Sequence, residues 1–246
     1  MTMLALEIAV QDAAGALTAQ ANGADRVELC SALSATGGIT PSAALIEAVV
    51  GVGLPVHVLI RCRPGPFVYD AQEVAVMARD AAWCMAHGAS GVVFGALTAD
   101  SLIDKPAMAA VRDAAAGHIG CHRAMDVAIG AGKADAGIDA LAELGVVRVL
   151  TSGGAKRSID GATMLARLVT RAEGRLDIMA GGGVDPADVA TLAATGIGAV
   201  HLSARSTMDI GVRAGPGGGA DETIDVTDAT IVRAVAEAVA AVARQG

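Results

Sequence analysis

One supersecondary unit recurs along this chain: an Ala-rich helical stretch, then a glycine, then a short run of aliphatic residues. Four copies read QANGADRVEL, MAHGASGVVF, LAELGVVRVL and LAATGIGAVHL. A glycine just past a helix and a strand directly after it are typical of parallel βαβ units. The pattern predicts eight strands, at Leu4–Ile8, Arg26–Leu29, Val56–Ile60, Gly91–Phe94, Ile119–His122, Val147–Leu150, Asp177–Ala180 and Ala199–Leu202.

Eight such units in 246 residues predict a single (β/α)8 TIM barrel that occupies residues 1–246, because this fold typically needs about 250 residues. The alternative is an open, doubly wound sheet, since a sequence alone does not reveal strand order. The Gly-rich stretch Met208–Thr227 is interpreted as a loop, followed by a last helix near Asp228–Arg244.

Composition narrows the classes of partner. The net charge of −8 and the presence of one Trp, one Tyr and two Phe argue against nucleic acid, which needs basic surfaces and stacking side chains. No apolar run has the length of a membrane helix, and the N-terminus lacks a signal-peptide pattern. We therefore expect a cytoplasmic protein without a membrane partner. No dinucleotide fingerprint is present, so no nucleotide cofactor is expected.

Charged and polar residues interrupt several predicted strands or follow them directly. In a TIM barrel, the reactive groups lie at the C-terminal ends of the strands. A carboxylate or a histidine would act there as general acid or base, and an arginine would bind an anion. The alternative is a buried Glu–Arg network that only fills the lumen. The candidate catalytic residues are Glu7, Glu28, Arg61, His122, Arg123 and Asp126.

Two of these candidates, Glu7 and Glu28, occupy similar places on neighbouring strands, about 4.8 Å apart. Two lumen carboxylates at that spacing need a cation between them, or one has a raised pKa. The sequence predicts that Arg61 contacts Glu28 and that Glu7 is the more readily protonated carboxyl. His57 and His201 are interpreted as lumen residues, with a packing role favoured.

Glycine-rich turns follow the sixth and seventh strands, TSGGA and AGGGV, and SARS follows the eighth. Loops in these positions frequently bind phosphate through free backbone N–H groups. The predicted anion-binding residues are Ser152, Gly153, Gly182, Gly183, Ser203 and Arg205.

The four cysteines form no CxxC pair, which excludes a zinc ribbon and a thioredoxin motif. Cys30 lies two residues after Glu28 and shares its face of the strand. A thiol there is either a ligand for a soft metal such as Cu(I) or a small buried apolar group. Cys84 is expected to pack in the core, and Cys121 is expected to point out of the barrel and pack against a helix.

Several strings in order resemble the CutC family, whose name refers to copper homeostasis. They are LEIA, QANGADRVELC, GGITPS, PVHVLIR, HRAMD, LAELGVVRVLTSGG, IMAGGGV and VHLSAR. The resemblance implies a cytoplasmic (β/α)8 barrel, a homodimer and copper handling, with Cu(I) bound by cysteines, here Cys30 and Cys62.

The resemblance also implies a barrel like that of an enzyme. This second hypothesis is an enzyme acting on a small anionic or polyhydroxylated substrate at the C-terminal mouth. By acid–base chemistry it would perform proton transfer or hydrolysis rather than a redox reaction. The segment RCRPGPFVYD departs from the family, because Cys62 stands where members usually have a proline between two arginines.

Overall fold

Eight parallel strands close into a barrel in sequence order in the computed structural model, which describes residues 4–211 and 223–244. Strand β1 pairs with β2 on one side and with β8 on the other, so the sheet has no free edge and is not the open alternative. The bounds are β1 Ala5–Val10, β2 Arg26–Leu29, β3 Val56–Leu59, β4 Gly91–Val93, β5 Ile119–Cys121, β6 Arg148–Thr151, β7 Asp177–Gly181 and β8 Ala199–Leu202.

Helices follow the strands and cover the outside of the barrel. Within the described residues none is long and apolar enough to cross a membrane. Short 3-10 turns, Ser158–Gly161 and Pro186–Asp188, precede two of them. The helices are α1 Ala13–Ala21, α2 Leu33–Thr36, α3 Ala43–Val50, α4 Ala71–Ala86, α5 Lys105–Ala114, α6 Ala124–Gly130, α7 Ala134–Glu143, α8 Ala162–Ala172, α9 Val189–Ala193 and α10 Ala229–Ala243.

Local signals explain where helices begin and end. Asp12 and Ser42 accept hydrogen bonds from backbone N–H groups in the first turns of α1 and α3, as N-caps do. Gly145 and Gly196, which follow α7 and α9, have φ values of 71° and 88°. Only glycine adopts this left-handed conformation without steric cost, so the recurring glycine terminates the helix and turns the chain into the next strand.

The interpretation of Met208–Thr227 as a loop is wrong at both of its ends. Strands β9 Arg205–Asp209 and β10 Thr223–Thr227 pair as an antiparallel ribbon beside the barrel. The sequence TIDVT has the β-branched residues that favour a strand. Residues 212–222 of the same stretch lie outside the described residues. The prediction of a last helix is confirmed, with Asp228 as its N-cap and Ala229–Ala243 as α10.

The tilt of the strands stacks inward-facing side chains in levels, with alternate strands contributing to each level. The register of strand pairing shows which side chains share a level. One level holds Glu7, His57, Gly120 and Met179, and the next one towards the C-terminal mouth holds Glu28, Val93, Leu150 and His201. Charged groups therefore occupy the middle of a lumen that apolar side chains fill in most barrels.

Candidate functional site

Glu7 is the centre of the charged cluster in the lumen, and its side chain is 1% exposed. Its Oε2 lies 2.5 Å from Arg26 Nε and 3.8 Å from Arg148 Nη1, and its Oε1 lies 2.9 Å from His201 Nδ1. Burial alone would raise the pKa of Glu7. The hydrogen bond with His201 and the charges of His201 and Arg26 outweigh burial and hold the pKa well below its usual range. Glu7 is therefore an ionised, fully paired carboxylate.

Glu28 has the opposite environment. Its side chain points into the lumen near His201 and Glu7, but its Oε2 is enclosed and has no hydrogen-bond partner among the described residues. Burial raises the pKa of Glu28 to about 7; His201 opposes this rise and the charge of Glu7 adds to it. Glu28 can therefore hold or release a proton near neutral pH, which suits a general acid or base.

The prediction that Arg61 contacts Glu28 is wrong, and so is the prediction that Glu7 is the more readily protonated carboxyl. The register explains both errors, since Glu7 lies opposite Arg26 and the partner of Glu28 on β1 is Ala9. Arg26, which sequence reasoning left out, neutralises Glu7. Glu28 is left without an arginine and takes up the proton instead.

Arg61 lies beyond the end of β3 and binds loop carbonyls. Its guanidinium is 2.8 Å from the carbonyl oxygens of Thr36 and Gly38 and 2.9 Å from that of Gly65. It also stands 5.1 Å above the ring of Phe67. Arg61 is 6% exposed, and these contacts tie together two loops at the mouth. Its Nε is enclosed and has no hydrogen-bond partner among the described residues.

His122 is buried beside the same loop, 4.6 Å from Phe67 between ring centroids. Its Nδ1 accepts a hydrogen bond of 3.1 Å from the backbone N–H of Ala124, and its Nε2 is enclosed without a partner among the described residues. Burial and the charge of Arg61 lower the pKa of His122 to about 3. His122 is a neutral imidazole and a weak base, so it suits hydrogen-bond donation better than proton abstraction.

A pocket of about 500 Å³ opens at the C-terminal mouth of the barrel. Its floor includes Leu150 and His201, so the ring that binds Glu7 is also accessible from the mouth. Its walls come from the turns after β7 and β8 and from α2. The lining residues that bear on chemistry are Arg123, Gly182, Gly183, His201, Ser203 and Arg205.

Arg123 and Asp126 form one unit with the turn after β6. Asp126 Oδ2 accepts a hydrogen bond of 2.6 Å from Arg123 Nε, and Asp126 Oδ1 accepts from Thr151 and from the N–H groups of Ser152 and Gly154. Arg123 Nη2 donates to Ser152 Oγ at 2.9 Å. Asp126 thus holds Arg123 at the pocket wall and does not itself face the pocket.

Arg205 reaches the pocket from the start of β9. It donates hydrogen bonds to Ser34 and to Asp225, whose carboxylate lies 3.2 Å away. The contact with Ser34 links the ribbon to α2. Of the predicted anion-binding residues, the structure brings Gly182, Gly183, Ser203 and Arg205 to the pocket. Ser152 does not line it but accepts a hydrogen bond from Arg123, which does. Gly153 instead packs against the backbone of Gly161.

The two predicted metal-binding cysteines belong to different packing clusters. Cys30 is fully buried in the lumen against Leu59 and Val93, and its Sγ lies 4.0 Å from the carbonyl oxygen of Val10. Cys62 is half-buried and packs against the main core. Burial raises the pKa of both thiols, which disfavours the thiolate that a soft metal requires.

Oxygen and nitrogen donors offer a second possibility for a metal. Ligand atoms of Glu7, Glu28 and His201 lie within 4.8 Å of one another. Arg26 already occupies Glu7 Oε2, so a cation would compete with a guanidinium for that carboxylate. The arrangement favours proton transfer between Glu28, His201 and a substrate over metal binding.

Sequence reasoning undervalued His201 and missed Arg26 and Arg148. The signal for His201 was its position two residues before Ser203, which follows the end of β8; both residues line the mouth pocket. The signal for the arginines was their position at the start of β2 and β6, where inward-facing charges are unusual in a barrel.

Comparisons with known proteins agree with this architecture. Residues 4–206 match the CutC family. A relative from Xanthomonas campestris pv. campestris (strain B100), named family protein CutC, is 45% identical over 215 residues, which cover 86% of this chain and 88% of the relative. A human relative, named copper homeostasis protein cutC homolog, is 39% identical over 211 residues, which cover 85% of this chain and 76% of the relative.

A crystal structure of CutC from Streptococcus agalactiae superposes with a TM-score of 0.74 at 30% identity, covering 82% of this chain and 99% of that chain. The match to the family and these identities over most of the chain lead to one conclusion. This chain belongs to the CutC family.

Proposed function

We propose that this protein is an enzyme that uses Glu28 and His201 for acid–base chemistry on a small anionic or polyhydroxylated substrate. The observation that carries the proposal is His201, which lines a pocket of about 500 Å³ and is hydrogen-bonded to Glu7. The enclosed carboxyl of Glu28 lies beside this pair, behind the pocket lining. Pockets of about 300–1,000 Å³ with a few convergent polar groups are typical of small-molecule sites.

Each member of the cluster has a distinct role. Glu7 stays ionised and orients the imidazole of His201 through Nδ1, as a carboxylate does for a catalytic histidine. His201 then presents its Nε2, which has no hydrogen-bond partner among the described residues, towards the substrate. Burial opposes the charged form of His201, but the hydrogen bond to Glu7 and the charge of Glu28 raise its pKa. His201 and Glu28 together place a hydrogen-bond donor and an acceptor in one site.

Conversion of small metabolites in D2O, followed by proton NMR, tests this proposal. The wild type is expected to consume a substrate or to exchange one of its carbon-bound protons for deuterium. Glu28→Gln and His201→Asn remove the acid–base groups and are each expected to slow the reaction by about 100-fold or more. Glu143→Gln is the matched control, because Glu143 pairs with Lys105 on the outer surface.

Equal rates in the wild type and in Glu28→Gln would contradict the assignment of Glu28. Equal rates in the wild type and in His201→Asn would do the same for His201. If a bound substrate leaves the NMR signals of both Glu28 and His201 unchanged, the chemistry takes place elsewhere in the molecule.

Cu(I) binding through Cys30 and Cys62 is the second candidate function. The name of the human relative favours it, and so does the position of Cys30 in the lumen beyond Glu28. Anaerobic titration of the reduced protein with Cu(I) is the test. A Cys30→Ser, Cys62→Ser double variant is expected to lose affinity, and unchanged affinity would exclude this pair. Because burial raises the pKa of both thiols, the affinity is expected to increase with pH.

Two further proposals concern the setting in which the protein acts. A cytoplasmic location is supported by the four cysteines, all of which are free, as expected in a reducing compartment. A homodimer is proposed from the family resemblance. Analytical ultracentrifugation at micromolar concentration tests the dimer, and a monomer at that concentration would contradict it.

A further inference from the structure

Backbone N–H groups without acceptors gather in the two turns that follow β7 and β8. The N–H groups of Gly182, Gly183, Val184, Ser203 and Ala204 donate no hydrogen bond to any described residue. All of these residues line the mouth pocket. Unpaired backbone N–H groups carry partial positive charge, and several that converge on one concavity form an anion site.

The glycines of the first turn let the side chain of Arg123 approach its backbone closely. Gly182 and Gly183 have φ values of 122° and 60°, which L side chains rarely adopt. A Cβ on Gly182 would stand 3.3 Å from Arg123 Nη1. The guanidinium therefore lies directly over the face of this turn that lacks a side chain.

Arg123 adds a fixed cation to these amides. Its Nε and Nη2 are held by Asp126 and Ser152, and its Nη1 has no partner among the described residues. Arg205 is less available, since Asp225 and Ser34 occupy its Nη1. A guanidinium with one edge held by the protein and a free Nη1 is pre-organised to bind an oxyanion.

We propose that Arg123 and the N–H groups of the turns after β7 and β8 bind the phosphate of a small phosphate monoester. This assignment names the substrate class of the proposed enzyme and rests on that function. The donors come from two turns and a guanidinium on a third element, so they approach the anion from several directions. A tetrahedral phosphate offers three oxygens to such a set, whereas a planar carboxylate offers two.

The rest of the substrate would extend from this subsite to His201. Gly181 precedes the turn and is the register partner of His201, and a Cβ on Gly181 would stand 3.3 Å from the Cβ of His201. The phosphate subsite and the acid–base groups thus share one wall of the pocket. This geometry suits a short carbon skeleton whose reacting atom is separated from phosphorus by few bonds.

Titration calorimetry and amide NMR test the subsite without requiring turnover. The probes are inorganic phosphate, glycerol 3-phosphate, glycerol and acetate. Phosphate and glycerol 3-phosphate are expected to bind and to shift the amide resonances of Gly182 and Gly183, whereas glycerol and acetate are not. Arg123→Gln is expected to weaken phosphate binding by about tenfold or more. Arg167→Gln is the matched loss of charge, because Arg167 pairs with Asp135 on the outer surface, and it is expected to bind phosphate like the wild type.

Three results would overturn the subsite: equal phosphate affinity in Arg123→Gln and Arg167→Gln, acetate binding as tightly as phosphate, or no amide shift at Gly182 and Gly183 at about 10 mM phosphate. Glu28→Gln separates this inference from the proposed enzyme. Phosphate binding that is kept in Glu28→Gln, with turnover also unchanged, would contradict the enzyme's acid–base group and leave the subsite supported.

Discussion

The imidazole of His201 lies between two carboxyl groups of opposite character, with its Nδ1 2.9 Å from Oε1 of Glu7. This contact joins the last strand of the barrel to the first through the lumen. Glu7 is ionised because it is paired, and Glu28 takes up a proton because it is buried and unpaired. Two carboxyl groups whose environments separate their pKa values are a recurring arrangement in acid–base enzymes.

Replacing Glu7 by Gln is expected to destabilise the fold. The change leaves the guanidinium of Arg26, which is 11% exposed, without its carboxylate. Breaking a buried ion pair in this way costs about 3–5 kcal/mol. The free energy of unfolding in urea measures the loss. Glu143→Gln, at an exposed ion pair with Lys105, is expected to change it by less than about 1 kcal/mol. Equal losses in the two variants would show that the Glu7 cluster is solvated.

Glu28 is expected to make stability decline between pH 5 and pH 8. The unfolded carboxyl has an ordinary pKa and releases its proton first, whereas the pKa of the folded Glu28 is raised to about 7. The folded state therefore binds more protons in this range, and the free energy of unfolding falls as pH rises. Over the range between these two pKa values, this difference in proton binding lowers the free energy of unfolding by about 3 kcal/mol.

Glu28→Gln removes this dependence and serves as the reference. The difference in unfolding free energy between variant and wild type is expected to grow from pH 5 to pH 8 in favour of the variant. Titrating groups that do not interact with Glu28 are common to both proteins and cancel in the difference. A difference that is constant with pH would show that the pKa of Glu28 is ordinary.

Arg61→Met is expected to loosen two loops without changing acid–base chemistry. The guanidinium donates to the carbonyl oxygens of Thr36, Gly38 and Gly65, and hydrogen bonds from charged groups contribute about 1.5–3 kcal/mol each. Hydrogen exchange at the backbone amides of these loops is expected to accelerate. Arg61→Lys is not expected to restore protection, because an ammonium cannot span the same three acceptors. Full rescue by lysine would mean that only the charge matters.

The sequence was sufficient to predict the barrel because the helix–glycine–strand unit is a local signal. Each glycine such as Gly145 marks the end of a helix wherever the rest of the chain goes. The partners of Glu7 were not predictable in the same way, since they depend on register. Arg26 lies opposite Glu7 because the strands pair with that offset, and a shift of two residues would have put Glu28 there instead.

Closure of the barrel was the second piece of missing information. It brings β8 beside β1, so His201 meets Glu7 although 194 positions separate them in sequence. Arg61 was predicted to contact Glu28 because it comes at the end of the next strand along the chain. Its strand, however, ends at Leu59, and the backbone beyond that point no longer alternates. Glu28, by contrast, lies inside β2, where strand alternation predicts its side chain to face the lumen.

Asp126→Asn is expected to weaken phosphate binding although Asp126 does not face the pocket. An amide NH2 placed against Arg123 Nε, where the carboxylate oxygen now lies at 2.6 Å, would repel the guanidinium and release it. The remaining oxygen can still accept from Ser152 and Gly154, so the loss of stability is expected to be about 1–3 kcal/mol. Phosphate affinity is expected to fall by less than it does in Arg123→Gln. Unchanged affinity would show that Arg123 does not depend on Asp126.

Gly182→Ala is expected to disturb the phosphate subsite by two separable effects. The first is conformational, because a φ of 122° is strained for alanine and costs about 1–3 kcal/mol. The second is steric, because the new Cβ would stand 3.2 Å from Ser152 Cβ and 3.3 Å from Arg123 Nη1. Gly174→Ala separates the two effects, since Gly174 also has a positive φ, 74°, but a Cβ there meets nothing within 4 Å. Both variants are expected to lose stability in urea, whereas only Gly182→Ala is expected to lose phosphate affinity in calorimetry. Equal phosphate affinity in the two variants would show that the turn after β7 does not contact the anion.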